Sequence, residues 1–286
     1  MIERIILQVP DLAASLRFFD LLGYTSFAIP AISPEIRRAI GDRSLAEAPC
    51  ARVLTRTEPI QALDLVESTT IQQAGFQTTG FAALEFIVGG LDELALNVTQ
   101  AHVRILGAPS VLSFSNNIRA MQLLGPNREL LYCTEVNGPV PGFNLPEHDR
   151  KAGECFVVIA AVSDMDISRQ FYASLFGCQP PVVMPSRVVA MSHMQGLDSG
   201  TAHDIAALPI SAQHYLELDQ WMPAQNEGPS CIGVKSSARI LCVSLTQEAH
   251  HQISEHAECF WQEADDSLHS IIRGPDGELF EFINTR

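Results

Sequence analysis

The chain is poor in positive charge. Its 18 lysines and arginines stand against 33 aspartates and glutamates, a formal net charge of −15. A surface of that sign repels phosphate backbones and anionic headgroups, so neither nucleic acid nor a membrane is expected as a partner. No apolar stretch reaches membrane-spanning length. The start of the chain has Glu3 and Arg4 before a short apolar run and no small-residue cleavage site, so no signal peptide is expected. No two of the seven cysteines form a CxxC pair, and several lie in apolar runs. An odd, scattered set reads as reduced thiols and a cytoplasmic location. GxGxxG, GxxxxGK[ST], HExxH and GxSxG are all absent, which leaves a nucleotide-binding or triad-hydrolase reading without support.

What is present is globular material: 286 residues, 47% hydrophobic and 18% charged, enough for one large or two smaller cores. It is also repetitive. VPDLAASLRFFDLLGY (9–24) returns as VSDMDISRQFYASLFGC (162–178). Asp11 and Asp164 each precede a serine by four residues and an aromatic pair by seven. Both aspartates suit a helix N-cap, and Gly23 and Gly177 suit the left-handed position past a helix end. Leu12, Leu16, Phe19 and Leu22 share one helical face. A second repeat joins Gly125-Pro-Asn-Arg-Glu-Leu-Leu-Tyr132 to Gly274-Pro-Asp-Gly-Glu-Leu-Phe-Glu281, each a turn feeding the strand that ends its half. Between the halves, residues 136–151 hold three prolines and two glycines and read as a linker. The expected domains are 1–135 and 152–286. Finer reading divides them into four modules of strand, helix and strands, ending near 68, 136, 221 and 286.

On these two signatures and the four-module rhythm, the chain resembles the vicinal oxygen chelate superfamily, the group of glyoxalase I, extradiol dioxygenases and bleomycin-resistance proteins. The resemblance implies an α+β fold of four βαβββ modules, paired within each half into curled mixed sheets that enclose clefts. It also implies metal ligands at two kinds of position. One is a His or Gln on the first strand, seven residues before the capping Asp. The other is a Glu on the last strand, seven residues after the turn begins. Here the first-strand positions hold Arg4, Ala83, Val157 and Ile240, and the last-strand positions hold Asp64, Tyr132, Glu217 and Glu281. None of the first four is His or Gln. No cofactor is therefore expected. The alternative is a divalent metal in a rearranged site of Glu217, Glu281 and a nearby histidine.

Glu217 and Glu281 are the expected catalytic pair, lining one C-terminal cleft where like charges raise one pKa for acid–base work. The plainer reading pairs them with Arg187, Arg239 or Arg273. Tyr215 and Asp219 alternate with Glu217 and should share its face, while His214, Leu216 and Leu218 take the other. His193, His203 and His269 are candidate substrate contacts and sources of the missing imidazole; a surface or core role is the ordinary expectation for each. His250, His251 and His256 read as a solvated helical cluster. Arg4 is either an anion anchor or the partner of Asp64, and Tyr132 either a hydrogen-bond donor to ligand or a packed strand aromatic. Val157 and Ile240 line the expected cleft with hydrocarbon, which suits a flat or apolar ligand. The expected function is metal-independent lyase or isomerase chemistry on a small hydrophobic or aromatic metabolite, by a monomer or homodimer. A non-catalytic sequestering protein is the alternative.

Overall fold

The structure, a computed structural model, describes residues 1–56, 61–68, 76, 78–112, 114–146, 152–222, 238–246, 256–263 and 266–284. The first module runs β1 (Ile2–Val9), α1 (Leu12–Leu21), β2 (Thr25–Ile29), α2 (Pro34–Ile40), β3 (Cys50–Leu54) and β4 (Ala62–Glu67). The second runs β5 (Gly80–Ile87), α3 (Leu91–Gln100), β6 (Arg104–Leu112), β7 (Ser115–Leu124) and β8 (Leu130–Val136). The third runs β9 (Cys155–Val162), α4 (Met165–Phe176), β10 (Met184–Arg187), α5 (Val189–Met194), β11 (Ala202–Pro209) and β12 (Tyr215–Gln220). The fourth has β13 (Arg239–Thr246), β14 (Ala257–Gln262), β15 (Leu268–Arg273) and β16 (Leu279–Asn284). The expected helical stretch with His250 and His251 lies outside the described residues. His256 packs edge-on against Phe171, with ring centroids 5.4 Å apart.

The repeated signatures form as the sequence predicts. Asp11 caps α1 by accepting from the Ala14 amide, and Asp164 caps α4 by accepting from Ile167. Gly23 and Gly177 take φ of 103° and 66°, where a Cβ would be strained. Phe19 and Leu22 are buried, with Leu12 and Leu16 packed beside them.

The pairing of modules differs from the expectation. One eight-stranded sheet has the order β14-β15-β16-β13-β1-β4-β3-β2, and the other β10-β11-β12-β9-β5-β8-β7-β6. The first and fourth modules thus build one sheet (here the terminal sheet) and the second and third build the other (the central sheet). Each sheet is centred on an antiparallel pair, β1 with β13 and β5 with β9, with parallel neighbours β4 and β16 or β8 and β12 on either side. Among the described residues, each sheet draws strands from both halves of the chain. The core strands β5 and β9 are buried along their whole length, as strands covered on both faces must be. One large apolar cluster joins inward residues of both sheets with α1, α3 and α4, including Phe19, Phe86, Val158, Tyr172 and Phe280. Two smaller clusters fill the concave faces: Ile32, Ile36 and Leu45 cover the terminal sheet, and Val188, Met191 and Met194 cover the central sheet.

Candidate functional site

Strand pairing sorts the candidate residues into two clefts. On the terminal sheet, Ile271, Glu281, Ser244 and Arg4 form one row across β15, β16, β13 and β1. Because neighbours in a row share a face, Arg4 meets Glu281 over the intervening Ser244. Arg4 Nη2 lies 2.6 Å from Glu281 Oε2, and the Ser244 hydroxyl donates to the same oxygen. His269 Nδ1 lies 2.9 Å from Oε1, and its Nε2 lies 2.8 Å from the Ser267 hydroxyl. Trp261 stacks on the imidazole at 5.1 Å. Burial alone would raise the Glu281 pKa. The His269 hydrogen bond, the Arg4 charge and Ser244 outweigh it, so the carboxyl is held below its usual range as a carboxylate. One row further, Asp64 is 1% exposed and bidentate to Arg52, at 2.7 and 2.8 Å. Arg4 therefore pairs with Glu281, and Asp64 takes Arg52, which sequence reasoning did not single out. Arg273 pairs with Glu258 instead.

The central sheet has the opposite character. Tyr132, Glu85, Val157 and Tyr215 form one row across β8, β5, β9 and β12. Ala83, Ile159 and Glu217 form the next row, and Gly80, Ala161 and Asp219 the one beyond. Tyr215 faces the cleft cluster while Leu216 and Leu218 join the main core, as alternation along β12 predicts. Three carboxyls thus share one apolar face in successive rows. Asp219 is fully buried, Glu85 nearly so, and Glu217 half-buried at the approach. Burial pushes the Glu85 pKa up to about 7 against the opposing hydrogen bond from Thr134. Burial, followed by the charges of Asp219 and Glu85, pushes Glu217 upward, and burial pushes Asp219 up to about 8 against its hydrogen bond with Glu217. No described arginine or lysine offsets the three. The Tyr132 hydroxyl has no hydrogen-bond partner among the described residues, and burial and then these same carboxyls raise its pKa. Tyr215 is anchored, its hydroxyl accepting from the Asn144 amide at 2.9 Å.

The topology therefore separates the expected catalytic pair: Glu217 stands in the central sheet and Glu281 in the terminal sheet. The physical reason is the interleaved pairing, which sends β12 to β9 and β16 to β13. Arg4, His269 and Glu281 come together in one cleft, and Tyr132, Tyr215 and Glu217 in the other. His193 ends α5 and turns to Arg104, with Nε2 accepting at 2.7 Å. His203 is buried against Ser192 of α5 at 2.8 Å. Ile240 does not join the Arg4–Glu281 row. The register shift between Ile6 and Leu7 sets it opposite Leu7 in the main core and leaves Cys242 opposite Ile6. Glu85, absent from the sequence candidates, had one legible signal, a lone acid inside the apolar run FAALEFIV.

The donors present do not fit a chelated ion. Arg4 brings its own cation to Glu281, Arg52 does so for Asp64, and Ala83 and Val157 offer no donor. Among the described residues no three His, Cys, Asp or Glu side chains are placed to hold a metal.

No protein-family description matches the chain, and no curated protein matches it significantly. Solved structures do. Glyoxalase I from Zea mays superposes with a TM-score of 0.60 at 13% identity, over 99% of this chain and 92% of that one. A putative dioxygenase from Bacillus subtilis superposes with a TM-score of 0.60 at 9% identity, over 99% and 84%. The chain has the vicinal oxygen chelate fold, as the two repeated signatures predicted.

Proposed function

We propose that the central-sheet cleft binds a small, largely apolar or aromatic metabolite and acts on it by proton transfer, as a lyase or isomerase that routes no step through a metal. The observation that carries this reading is the set of buried carboxyls Glu85, Glu217 and Asp219, raised in pKa and without a compensating cation among the described residues. Carboxyls that change protonation near neutrality are matched to general acid–base work. In the terminal cleft, by contrast, Glu281 is committed to Arg4, His269 and Ser244, the pattern of a structural ion-pair network.

We assign roles from the pairing of the carboxyls. Asp219, whose ionised form the Glu217 hydrogen bond favours, takes the proton from a carbon acid. Glu217, two residues along the same face and raised by burial and the Asp219 charge, holds a proton and returns it. The unpartnered Tyr132 hydroxyl can donate to the oxygen on which charge develops. Tyr215, Val157 and Ile159 supply flat apolar walls. The test is deuterium exchange: carbon acids with aromatic or short apolar side chains are incubated with the protein in heavy water and read by mass spectrometry. Exchange should occur with wild type and fall by about 10²–10⁴-fold in Asp219→Asn. Tight binding with no exchange in any compound would replace this reading with simple sequestration.

A further inference from the structure

The same cleft has a charge preference, and this inference rests on assigning ligand binding to it. We infer that its ligand carries a protonated amine on an apolar or aromatic body. Acidic side chains alone are weak grounds for a binding site, but two observations here are independent of their charge. The Tyr132 hydroxyl is inside a residue only 6% exposed, faces the carboxyls, and has no hydrogen-bond partner among the described residues. The surroundings are aromatic: Tyr215 and Phe143 lie 5.7 Å apart, and both pack in the cleft cluster with Trp221. An unsatisfied buried hydroxyl points to an absent partner. Aromatic faces beside carboxylates attract an organic cation both electrostatically and through the ring quadrupole. An inorganic ion is a poor match, because the described donors do not converge on a point.

The other charged groups near the cleft leave this preference intact. His203 on β11 is held by Ser192, and His193 on α5 faces Arg104, with Arg128 adding positive charge beside it. None of them contributes to the shifts of the three carboxyls. Binding a cation favours the ionised carboxylates, so it should release protons. Affinity should then rise with pH through the region where these groups titrate.

Calorimetric titration with phenethylammonium, 2-phenylethanol and 3-phenylpropionate compares cation, neutral and anion on one aromatic body, with Mn²⁺ as a fourth probe. Phenethylammonium should bind at least tenfold more tightly than the alcohol. Its affinity should gain at least about tenfold between pH 6 and 8, as expected for a site whose carboxyls titrate at about 7 and about 8. Both Asp219→Asn and Glu217→Gln should abolish the preference; the half-buried Glu217 keeps the test open if the buried variant fails to fold. Equal affinity for the alcohol would overturn the amine while leaving the cleft assignment standing. Preferential Mn²⁺ binding would overturn it in favour of a metal. Failure of phenethylammonium to bind at all would also overturn it, and ordinary carboxyl titration in that protein would remove the cleft reading as well.

Discussion

Single residues decide the contrast between the two clefts. Glu281 and Glu217 occupy equivalent places on the closing strands of the last and third modules. One is neutralised by Arg4 and the other is left among carboxyls. The consequence for stability has a definite sign. A carboxyl raised in the folded state binds its proton more tightly there than in the unfolded chain. Its contribution is therefore favourable at low pH and lost as pH climbs from the ordinary value toward the folded one. For Glu85 the window runs from 4.5 to about 7, and the folded state loses about 3 kcal/mol across it. Glu85→Gln should match wild type in thermal unfolding at pH 4, then exceed it by several degrees at pH 8.5. Identical pH dependence in the two proteins would rule out the burial assigned to this group. Much of this scale was legible in sequence. Arg4 at a ligand position and Glu217 on an inward face could both be read from spacing. The partner of Arg4 could not, since Glu281 is 277 residues away and reaches it only through strand pairing.

At the level of elements, the repeated Gly-Pro turns explain why both modules keep glycine. A Cβ on Gly274 would collide with the Tyr172 hydroxyl and Glu278 Oε2, and one on Gly125 would meet Phe18 at 2.7 Å. The turn thus lies directly against the helix of the preceding module: Asn127 bonds Ser15 at 2.7 Å, and Ser163 bonds Asp276 at 2.9 Å. Gly274→Ala should destabilise by about 1–3 kcal/mol in urea unfolding. The loss should be smaller in a Tyr172→Phe background, because part of the collision is with the hydroxyl. Equal losses in both backgrounds would locate the strain elsewhere. Helix, cap and turn were readable here because each rests on local backbone chemistry. The bulge that keeps Ile240 out of the Arg4–Glu281 row was not, since it is set by pairing with β1 across the sheet.

The whole molecule is an interleaved pair of sheets, and this is where sequence reasoning was weakest. β1 and β5 start similar modules, and nothing local tells either whether its central partner is in the same half or the other. Only long-range burial settles that. The pairing has a direct consequence for dissection. Residues 1–146 alone would leave the central edges of β1 and β5 uncovered, and residues 152–286 would do the same for β9 and β13. Neither half should give a monomer with cooperative unfolding, while co-expressed halves should copurify as a folded complex. A monomeric, cooperatively folding half would contradict the architecture.

The central claim is that the central-sheet cleft holds carboxyls protonated near neutrality, and carbon-detected titration of labelled Asp and Glu side chains tests it most directly. Glu85, Glu217 and Asp219 should all titrate well above the ordinary carboxylate range, with Glu85 near 7, while Glu281 titrates below it. Midpoints near 4 for the first three would contradict the account.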